Sequence, residues 1–270
     1  MPELPEVETI ARGLNKRVSG DRIESVWIGK KPEPLKSPAA TIARTLEQTR
    51  IEQVRRVGKH IVFDLKAANS GETRQWIVHL GMTGRMLVAP PEAELASHTH
   101  LIARLASGRE LRFVDPRRFG RLEVRRDSFA GPGTEPLQVS VEELTKLFRG
   151  RKTAIKAALL NQKLLHGVGN IYADESLFRA GIRPRRRASA VTRAEYAKLH
   201  AALQQVLKEA ITAGGSSVSD YVDADGDEGF FQLQHRVYGR EGKPCLKCKS
   251  PIKKIVVGGR GTHYCPRCQK

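Results

Sequence analysis

The sequence predicts an α+β protein, and three observations support this fold class. Short segments rich in β-branched and aromatic residues recur across residues 22–125, a pattern typical of a β-sandwich or barrel. Segments with helical periodicity and capping signals fill the middle third of the chain. All four cysteines lie within the last 26 residues, at a spacing typical of a zinc site.

The N-terminal stretch MPELPEVE predicts the start of the first helix. Pro5 suits a first helical turn, where its missing N–H costs nothing, and Glu6 and Glu8 place negative charge at the positive end of the helix. Apolar residues then recur on one face, namely Val7, Ile10, Leu14 and Val18. A helix start does not account for Pro2 and Glu3, which precede it.

Strand segments bounded by turn residues follow this helix. They are residues 22–29, 60–66, 74–80, 84–89, 99–105, 110–115 and 120–125. A second helix is predicted at residues 42–50. The Gly and Pro content of residues 125–138 predicts a linker between domains.

The middle third is predicted to be helical, over residues 140–149, 152–163, 170–181 and 192–215. Ser140 and Thr192 are predicted N-caps, because a glutamate follows each of them three residues later. The stretch HGVGN places two glycines before a helix, which indicates either a phosphate contact involving Asn170 or a simple turn between helices. Residues 216–231 are polar and predict a mobile loop.

Charge is concentrated in two parts of the chain. The net charge is +18, yet residues 149–193 carry 11 basic against 2 acidic side chains and residues 236–270 carry 10 against 1. The remainder is therefore neutral, which a generally basic surface would not produce. Two basic segments on an otherwise neutral protein predict a polyanionic partner, and nucleic acid fits best.

The bulk composition excludes several other classes. The 270 residues are 40% hydrophobic, enough for two domains with a buried core. The sequence contains no run of 18 apolar residues and no signal-peptide pattern. These features predict a soluble cytoplasmic protein that acts at no membrane and, in a bacterium, associates with the nucleoid.

The cysteines have the spacing C-x2-C-x16-C-x2-C: Cys245, Cys248, Cys265 and Cys268. Two thiolate pairs at this separation can converge on one tetrahedral Zn²⁺, whereas disulfides are rare in the cytosol. Gly258 and Gly259 between the pairs predict a β-hairpin with Arg260 at its tip. Four protein ligands leave no open coordination position, so the zinc is predicted to be structural.

Motifs along the whole chain resemble the bacterial formamidopyrimidine-DNA glycosylase family. They are PELPEVE, HLGMTGRM, DPRRFGRLE, KTAIKAALL, GVGNIYADESLFRAGI and GRGTHYCPRCQK, and the match runs from Pro2 to Lys270. The resemblance implies an N-terminal β-sandwich with flanking helices (1–132), a helix–two-turn–helix domain (133–225) and the end of a lesion-capping loop with a zinc-finger β-hairpin (226–270).

The family's activity is DNA repair by a bifunctional glycosylase and abasic-site lyase. The resemblance implies excision of 8-oxoguanine and formamidopyrimidines from double-stranded DNA by a monomer, followed by β,δ-elimination. It assigns the nucleophile to Pro2 after removal of Met1, the general acid to Glu3 and a second active-site amine to Lys59. Arg260 matches the family's arginine that holds DNA phosphates beside the lesion.

The resemblance also implies DNA contacts. Met82, Arg117 and Phe119 match the residues that fill the gap left by an everted base. Backbone contacts are implied for His98, Arg151 and Asn170, with arginine at 151 where the family often has lysine. Lys156 is expected to bind near the lesion. The loop 216–231 resembles the segment that closes over the everted purine.

Two alternatives remain at this stage. One is the endonuclease VIII branch, which removes oxidised pyrimidines by the same chemistry. Its members usually lack the Leu-Pro pair that Leu4 and Pro5 form here. The other is a non-catalytic zinc-finger DNA-binding protein, which the presence of Pro2, Glu3 and Lys59 disfavours.

Overall fold

The computed structural model describes residues 1–217 and 229–270, which form two compact units. The first unit is Met1–Ala130 with Gly214–Gly229, and the second is Gly131–Ala213 with Phe230–Lys270. The finer division into three domains at 132/133 and 225/226 stays a prediction. Most of the predicted loop 216–231 lies outside the described residues. Among the described residues, no helix has the length and apolarity needed to cross a bilayer.

The first unit begins with helix α1 (Leu4–Val18), as predicted. Its four predicted apolar positions are all buried, so this face packs onto the core of the unit. Glu3 is the N-cap, and the Glu6 carboxyl accepts its backbone N–H at 2.8 Å to complete a capping box. Pro5 occupies the first turn, where no N–H is needed.

Eight antiparallel strands form the sheet of the first unit, in the order β5-β7-β6-β1-β2-β3-β4-β8. They are β1 (Arg22–Ile28), β2 (Thr49–Val57), β3 (His60–Ala67), β4 (Thr73–His79), β5 (Arg85–Ala89), β6 (Thr99–Leu105), β7 (Glu110–Val114) and β8 (Arg121–Arg125). β1 and β2 pair over only two residues each, so the hydrogen-bonded sheet consists of two four-stranded halves. Both halves bury apolar side chains in one core, which confirms the predicted sandwich.

The sequence analysis missed one strand, β2. The helix predicted at 42–50 is α2 (Ala39–Leu46), and the chain turns at Gln48, with φ of 59°, before β2 begins. A bulge between Ile51 and Gln53 breaks the apolar–polar alternation of β2. Two consecutive polar residues, Glu52 and Gln53, stand at this bulge, so the strand period is not visible in the sequence.

The second unit contains four α-helices: α3 (Val141–Phe148), α4 (Ile155–Leu159), α5 (Asn170–Ala180) and α6 (Arg193–Thr212). The capping boxes predicted at Ser140 and Thr192 are both present. α4 is shorter than predicted because Ala154 pairs with Arg187 in a β-bridge before it. After it, the Asn161 side chain accepts the Lys163 N–H, a local turn that competes with the helix.

The cysteine segment forms the predicted hairpin, from β9 (Lys253–Val257) and β10 (Arg260–Tyr264). Gly258 and Gly259 make a two-residue turn with φ of 58° and 72°, as a type I′ turn requires. The prediction that Arg260 lies at the tip is therefore wrong by one position. Arg260 is the first residue of β10, opposite Val257.

Candidate active site and nucleic-acid interface

The three predicted catalytic residues of the first unit lie directly before α1 and on the turn between β2 and β3. Pro2 and Glu3 directly precede α1, and both are buried. Lys59 is 5% exposed and shares with Gly58 the two-residue turn between β2 and β3. It is therefore shielded from water, unlike a solvated strand-end lysine.

Arg56 connects this turn to α1. Its Nε donates to the Glu8 carboxyl at 2.7 Å, and its Nη1 donates to the Gly58 carbonyl at 3.2 Å. The Arg56 side chain is only 7% exposed, so this ion pair is screened less than a surface pair. The link holds the Gly58–Lys59 turn against the first turns of α1.

Met1 is 49% exposed, in contrast to the buried Pro2 that follows it. Removal of Met1 would convert the Pro2 nitrogen from an amide into a secondary amine at the positive end of α1. Glu6 fixes this region further, because its second carboxyl oxygen accepts the Ser216 N–H at 2.8 Å. The two oxygens of Glu6 thus connect the residue before α1, Glu3, with the distant residue Ser216.

The three predicted gap-filling residues lie on two adjacent loops. Met82 is 39% exposed and follows β4, while Arg117 and Phe119 are exposed and precede β8. The Arg117 guanidinium carbon lies 4.8 Å from the centroid of the Phe119 ring. Because Met82 and Phe119 are exposed, neither belongs to the core.

Glycines bring these two loops into backbone contact. Gly81 has a φ of 62°, and a Cβ there would lie 2.5 Å from the Gly120 nitrogen. A side chain at position 81 is therefore excluded both by conformation and by space. His98, which is predicted to contact the DNA backbone, directly precedes β6. It is exposed and has a left-handed φ of 67°.

Two side chains of the second unit hold the backbone next to Arg260. The Gly261 carbonyl accepts from Lys156 Nζ at 3.1 Å and from Asn170 Nδ2 at 3.0 Å. Lys156 Nζ also donates to the Thr262 hydroxyl at 2.8 Å. Arg260 itself is exposed, so its guanidinium projects from an anchored strand.

Lys156, which the resemblance places near the lesion, is fully buried. Its ammonium forms an ion pair with Asp174 at 2.7 Å, and both side chains are 0% exposed. Asp174 also accepts the His263 N–H at 2.8 Å. The Lys156 ammonium also contacts the hairpin that carries Arg260, and its binding near the lesion stays a prediction.

Glu175 is a second buried acid that the sequence analysis did not single out. Its carboxyl group accepts the backbone N–H groups of Arg236, Val237 and Tyr238 at 2.9–3.0 Å. Burial raises the pKa of this carboxyl, and the three N–H groups oppose that rise. The available signal in the sequence was the pair of consecutive acids, Asp174 and Glu175, inside the predicted helix 170–181.

The remaining predicted DNA contacts differ in exposure. Arg151 is exposed, and its Nε donates to the Leu147 carbonyl at 2.7 Å, which orients the guanidinium. Asn170 is half-buried at the start of α5, and Gly169 is the N-cap of that helix. The Asn170 amide carries a second N–H besides the one given to Gly261, which suits a phosphate at the helix N-terminus.

The four cysteines fit a zinc ion. Their sulfur atoms lie within 4.8 Å of one another, with Sγ–Sγ distances of 3.9 Å between Cys245 and Cys268 and 3.4 Å between Cys248 and Cys265. Tetrahedral coordination at about 2.3 Å per bond separates sulfur atoms by about 3.8 Å. The site therefore has the right ligand number, ligand type and spacing.

The electrostatics of the thiols also favour a cation among them. Hydrogen bonding to Ser250 lowers the pKa of the Cys248 thiol to about 6. Burial raises the pKa of the Cys268 thiol to about 12. Four thiols this close ionise together only when a cation offsets their repulsion. When bound, zinc fixes β9 and β10, and hence the strand that carries Arg260.

Comparison with known proteins gives one consistent family. The formamidopyrimidine-DNA glycosylase N-terminal domain matches residues 1–122, the H2TH domain of that family matches 131–222, and the zinc finger found in FPG and IleRS matches 242–270. The formamidopyrimidine-DNA glycosylase of Solibacter usitatus is 43% identical over 277 residues, covering 100% of both chains.

Solved structures give the same result. The chain matches a Lactococcus lactis FPG mutant, crystallised with Fapy-dG-containing DNA, with a TM-score of 0.91, 33% identity and 100% coverage of both chains. It matches the Thermus thermophilus MutM (FPG) protein with a TM-score of 0.87, 41% identity, and 99% and 98% coverage.

Removing one zinc ligand tests the metal's structural role. We expect the Cys265→Ala protein to contain less zinc than the roughly one ion per chain of a closed site. It should also bind duplex DNA much more weakly. Arg260→Ala is the matched control, because it should weaken binding with zinc retained. Metal content and fluorescence anisotropy measure both properties. Full DNA binding by metal-free protein would contradict this role.

The buried ion pair can be tested by removing its charges in turn. Lys156→Met leaves the Asp174 charge buried and unpaired, which should lower the free energy of unfolding by about 3–5 kcal/mol. Lys156→Met with Asp174→Asn leaves no buried charge and should recover much of this loss. Lys152→Met, at an exposed position of the same segment, is the control. Equal stability of the single and double variants in denaturant unfolding would contradict the pairing.

Proposed function

Because the chain belongs to the formamidopyrimidine-DNA glycosylase family, we propose that it excises oxidised purines from duplex DNA and then cleaves the strand, as part of base excision repair. The observation that carries this proposal is the position of Pro2, directly after an exposed Met1 and at the start of α1. The two buried partners Glu3 and Lys59 support it. The Lactococcus lactis relative was crystallised with DNA containing Fapy-dG, a ring-opened purine.

Pro2, freed of Met1, is the nucleophile. An α-amino group ordinarily has a pKa of about 8, and the positive end of a helix favours its neutral form. The nitrogen lone pair attacks C1′ of the deoxyribose, and the damaged base leaves with the electrons of the glycosidic bond. The sugar ring opens, and the secondary amine is left as an iminium cation. This cation is the electron sink of covalent catalysis.

Glu3 and Lys59 handle the protons. Glu3 protonates the ring oxygen O4′ as the C1′–O4′ bond breaks, and Lys59 serves as a second proton donor. Loss of a C2′ proton then expels the 3′ phosphate, and a further elimination expels the 5′ phosphate. Water finally hydrolyses the imine and regenerates Pro2. The shielding of both side chains from water suits these transfers.

The DNA-binding residues divide into two groups. Met82, Arg117 and Phe119 enter the duplex and replace the everted base, which an enzyme acting on one base must take out of the stack. His98, Arg151, Asn170 and Arg260 hold backbone phosphates. Lys156 supports the strand that carries Arg260, through the Gly261 carbonyl and the Thr262 hydroxyl. We assign no residue of the segment 218–228.

The two alternatives from the sequence are not favoured. The family models that match are those of formamidopyrimidine-DNA glycosylase, not of a separate pyrimidine-specific branch. A non-catalytic protein has no need of a buried lysine beside the start of α1. We further propose that the protein acts as a monomer in the bacterial cytoplasm, at the nucleoid, where a net charge of +18 favours DNA.

The nucleophile is tested by trapping. We expect borohydride, added during turnover of a duplex with 8-oxoguanine opposite cytosine, to link the protein covalently to DNA through Pro2, because it reduces the iminium. Mass mapping of the adduct identifies the residue. An uncleaved N-terminal tag should abolish trapping, and the same tag at the C-terminus serves as control. An adduct at any other residue would defeat the assignment.

The base opposite the lesion tests Arg117. A guanidinium only donates hydrogen bonds, and orphaned cytosine offers two acceptors where adenine offers one acceptor beside a donor. We expect single-turnover excision to be about ten- to a hundredfold faster opposite cytosine than opposite adenine, and most of that ratio to vanish in Arg117→Ala. Arg118→Ala is the control, because Arg118 pairs with Glu33 at 2.7 Å. An unchanged ratio in Arg117→Ala would show that Arg117 does not read the opposite base.

A further inference from the structure

Asp115 lies where the segments carrying the gap-filling residues meet. It directly follows β7 and is 0% exposed, although it begins an otherwise exposed loop. A fully buried acid is rare unless its oxygens are hydrogen-bonded.

The Asp115 carboxyl group joins two loops. One oxygen accepts the Thr83 hydroxyl at 2.7 Å, and the other accepts the Gly120 N–H at 2.7 Å. Thr83 directly follows Met82, and Gly120 directly follows Phe119. The Thr83 oxygen in turn accepts the Arg117 N–H at 3.3 Å. Each of the three gap-filling residues is therefore no more than one residue from this network.

The Asp115 backbone joins a third segment. Its N–H donates to the His98 carbonyl at 3.0 Å, and its carbonyl accepts from His100 Nε2 at 2.9 Å. His98 is the exposed residue proposed to hold a backbone phosphate. One buried residue thus connects three segments that are distant in sequence, and each of them carries a proposed DNA contact.

We propose that Asp115 is the positioning residue of this surface: it holds the Met82, Arg117–Phe119 and His98 segments in one fixed arrangement before DNA binds. Filling the gap of an everted base requires the three side chains to arrive together. Loops that are already ordered lose little conformational entropy on binding, so the rate of base excision depends on this order. Asp115 touches no DNA itself, and the proposal rests on the proposed function.

The test separates base eversion from the later chemistry. Asp115→Asn keeps the shape of the side chain, but its amide cannot accept from both Thr83 and Gly120. We expect single-turnover excision of 8-oxoguanine from a duplex to fall roughly ten- to a hundredfold. A single-stranded abasic oligonucleotide is the comparison substrate, because it has no orphaned base and no gap to fill. The rate of its cleavage should change less than about twofold, because the Pro2 chemistry is untouched.

The ratio of rates opposite cytosine and adenine is the second measurement, because a loss of overall stability would not change it. It should approach one in Asp115→Asn. Thr83→Val should reproduce the effect, since it keeps the shape and removes the hydroxyl. Thr83→Ser keeps the hydroxyl and should retain the native ratio. Asp64→Asn, which affects a β3 carboxyl bound to Arg55 and Gln75, is the matched control.

The outcomes are distinct. A selective loss on duplex with a collapsed ratio supports the proposal. Equal losses on both substrates, or no loss on either, overturn it and leave the proposed function intact. A native protein that acts on neither substrate contradicts the proposed function itself, and the role of Asp115 fails with it.

Discussion

An N-terminal nucleophile, as proposed for Pro2, must be both free to react and held in place, and the position directly before α1 meets both requirements. The apolar face of α1 is buried against the sheet, and its first turn is closed by the Glu3–Glu6 capping box. Glu6 and Arg56 then attach that turn to two other segments. Chain ends usually fray, so this anchoring is what allows an N-terminal amine to serve as a catalytic group at a defined position.

Buried acids play the same physical role in both units. Glu6, Asp115, Asp174 and Glu175 are all at most 2% exposed, and each accepts at least one backbone N–H. A carboxyl group has two oxygens and can therefore join two segments of main chain that have no side chains suited to packing together. Met82, Arg117 and Arg260 are exposed and proposed to meet DNA, and Asp115 and Asp174 hold the backbone near them.

The sequence predicted features whose signal is local. The caps at Ser140 and Thr192, the apolar face of α1 and the four cysteines depend on spacings of a few residues, and the structure confirms them. The strand β2 was missed because its bulge removes the period. The burial of Lys156 was not predicted because its partner Asp174 is distant in sequence, and only the tertiary fold shows that the two are buried together. The roles of the site residues rest on resemblance and stay predictions.

The contact between Gly81 and Gly120 constrains how the surface proposed to face the orphaned base can vary. The backbones touch, so neither loop can lengthen or gain a side chain at this point without moving the other. Selection can still exchange the residues at positions 82, 117 and 119, whose side chains point outward. New preferences for the opposite base are therefore accessible through single substitutions on an unchanged frame, whereas new geometries require several changes at once.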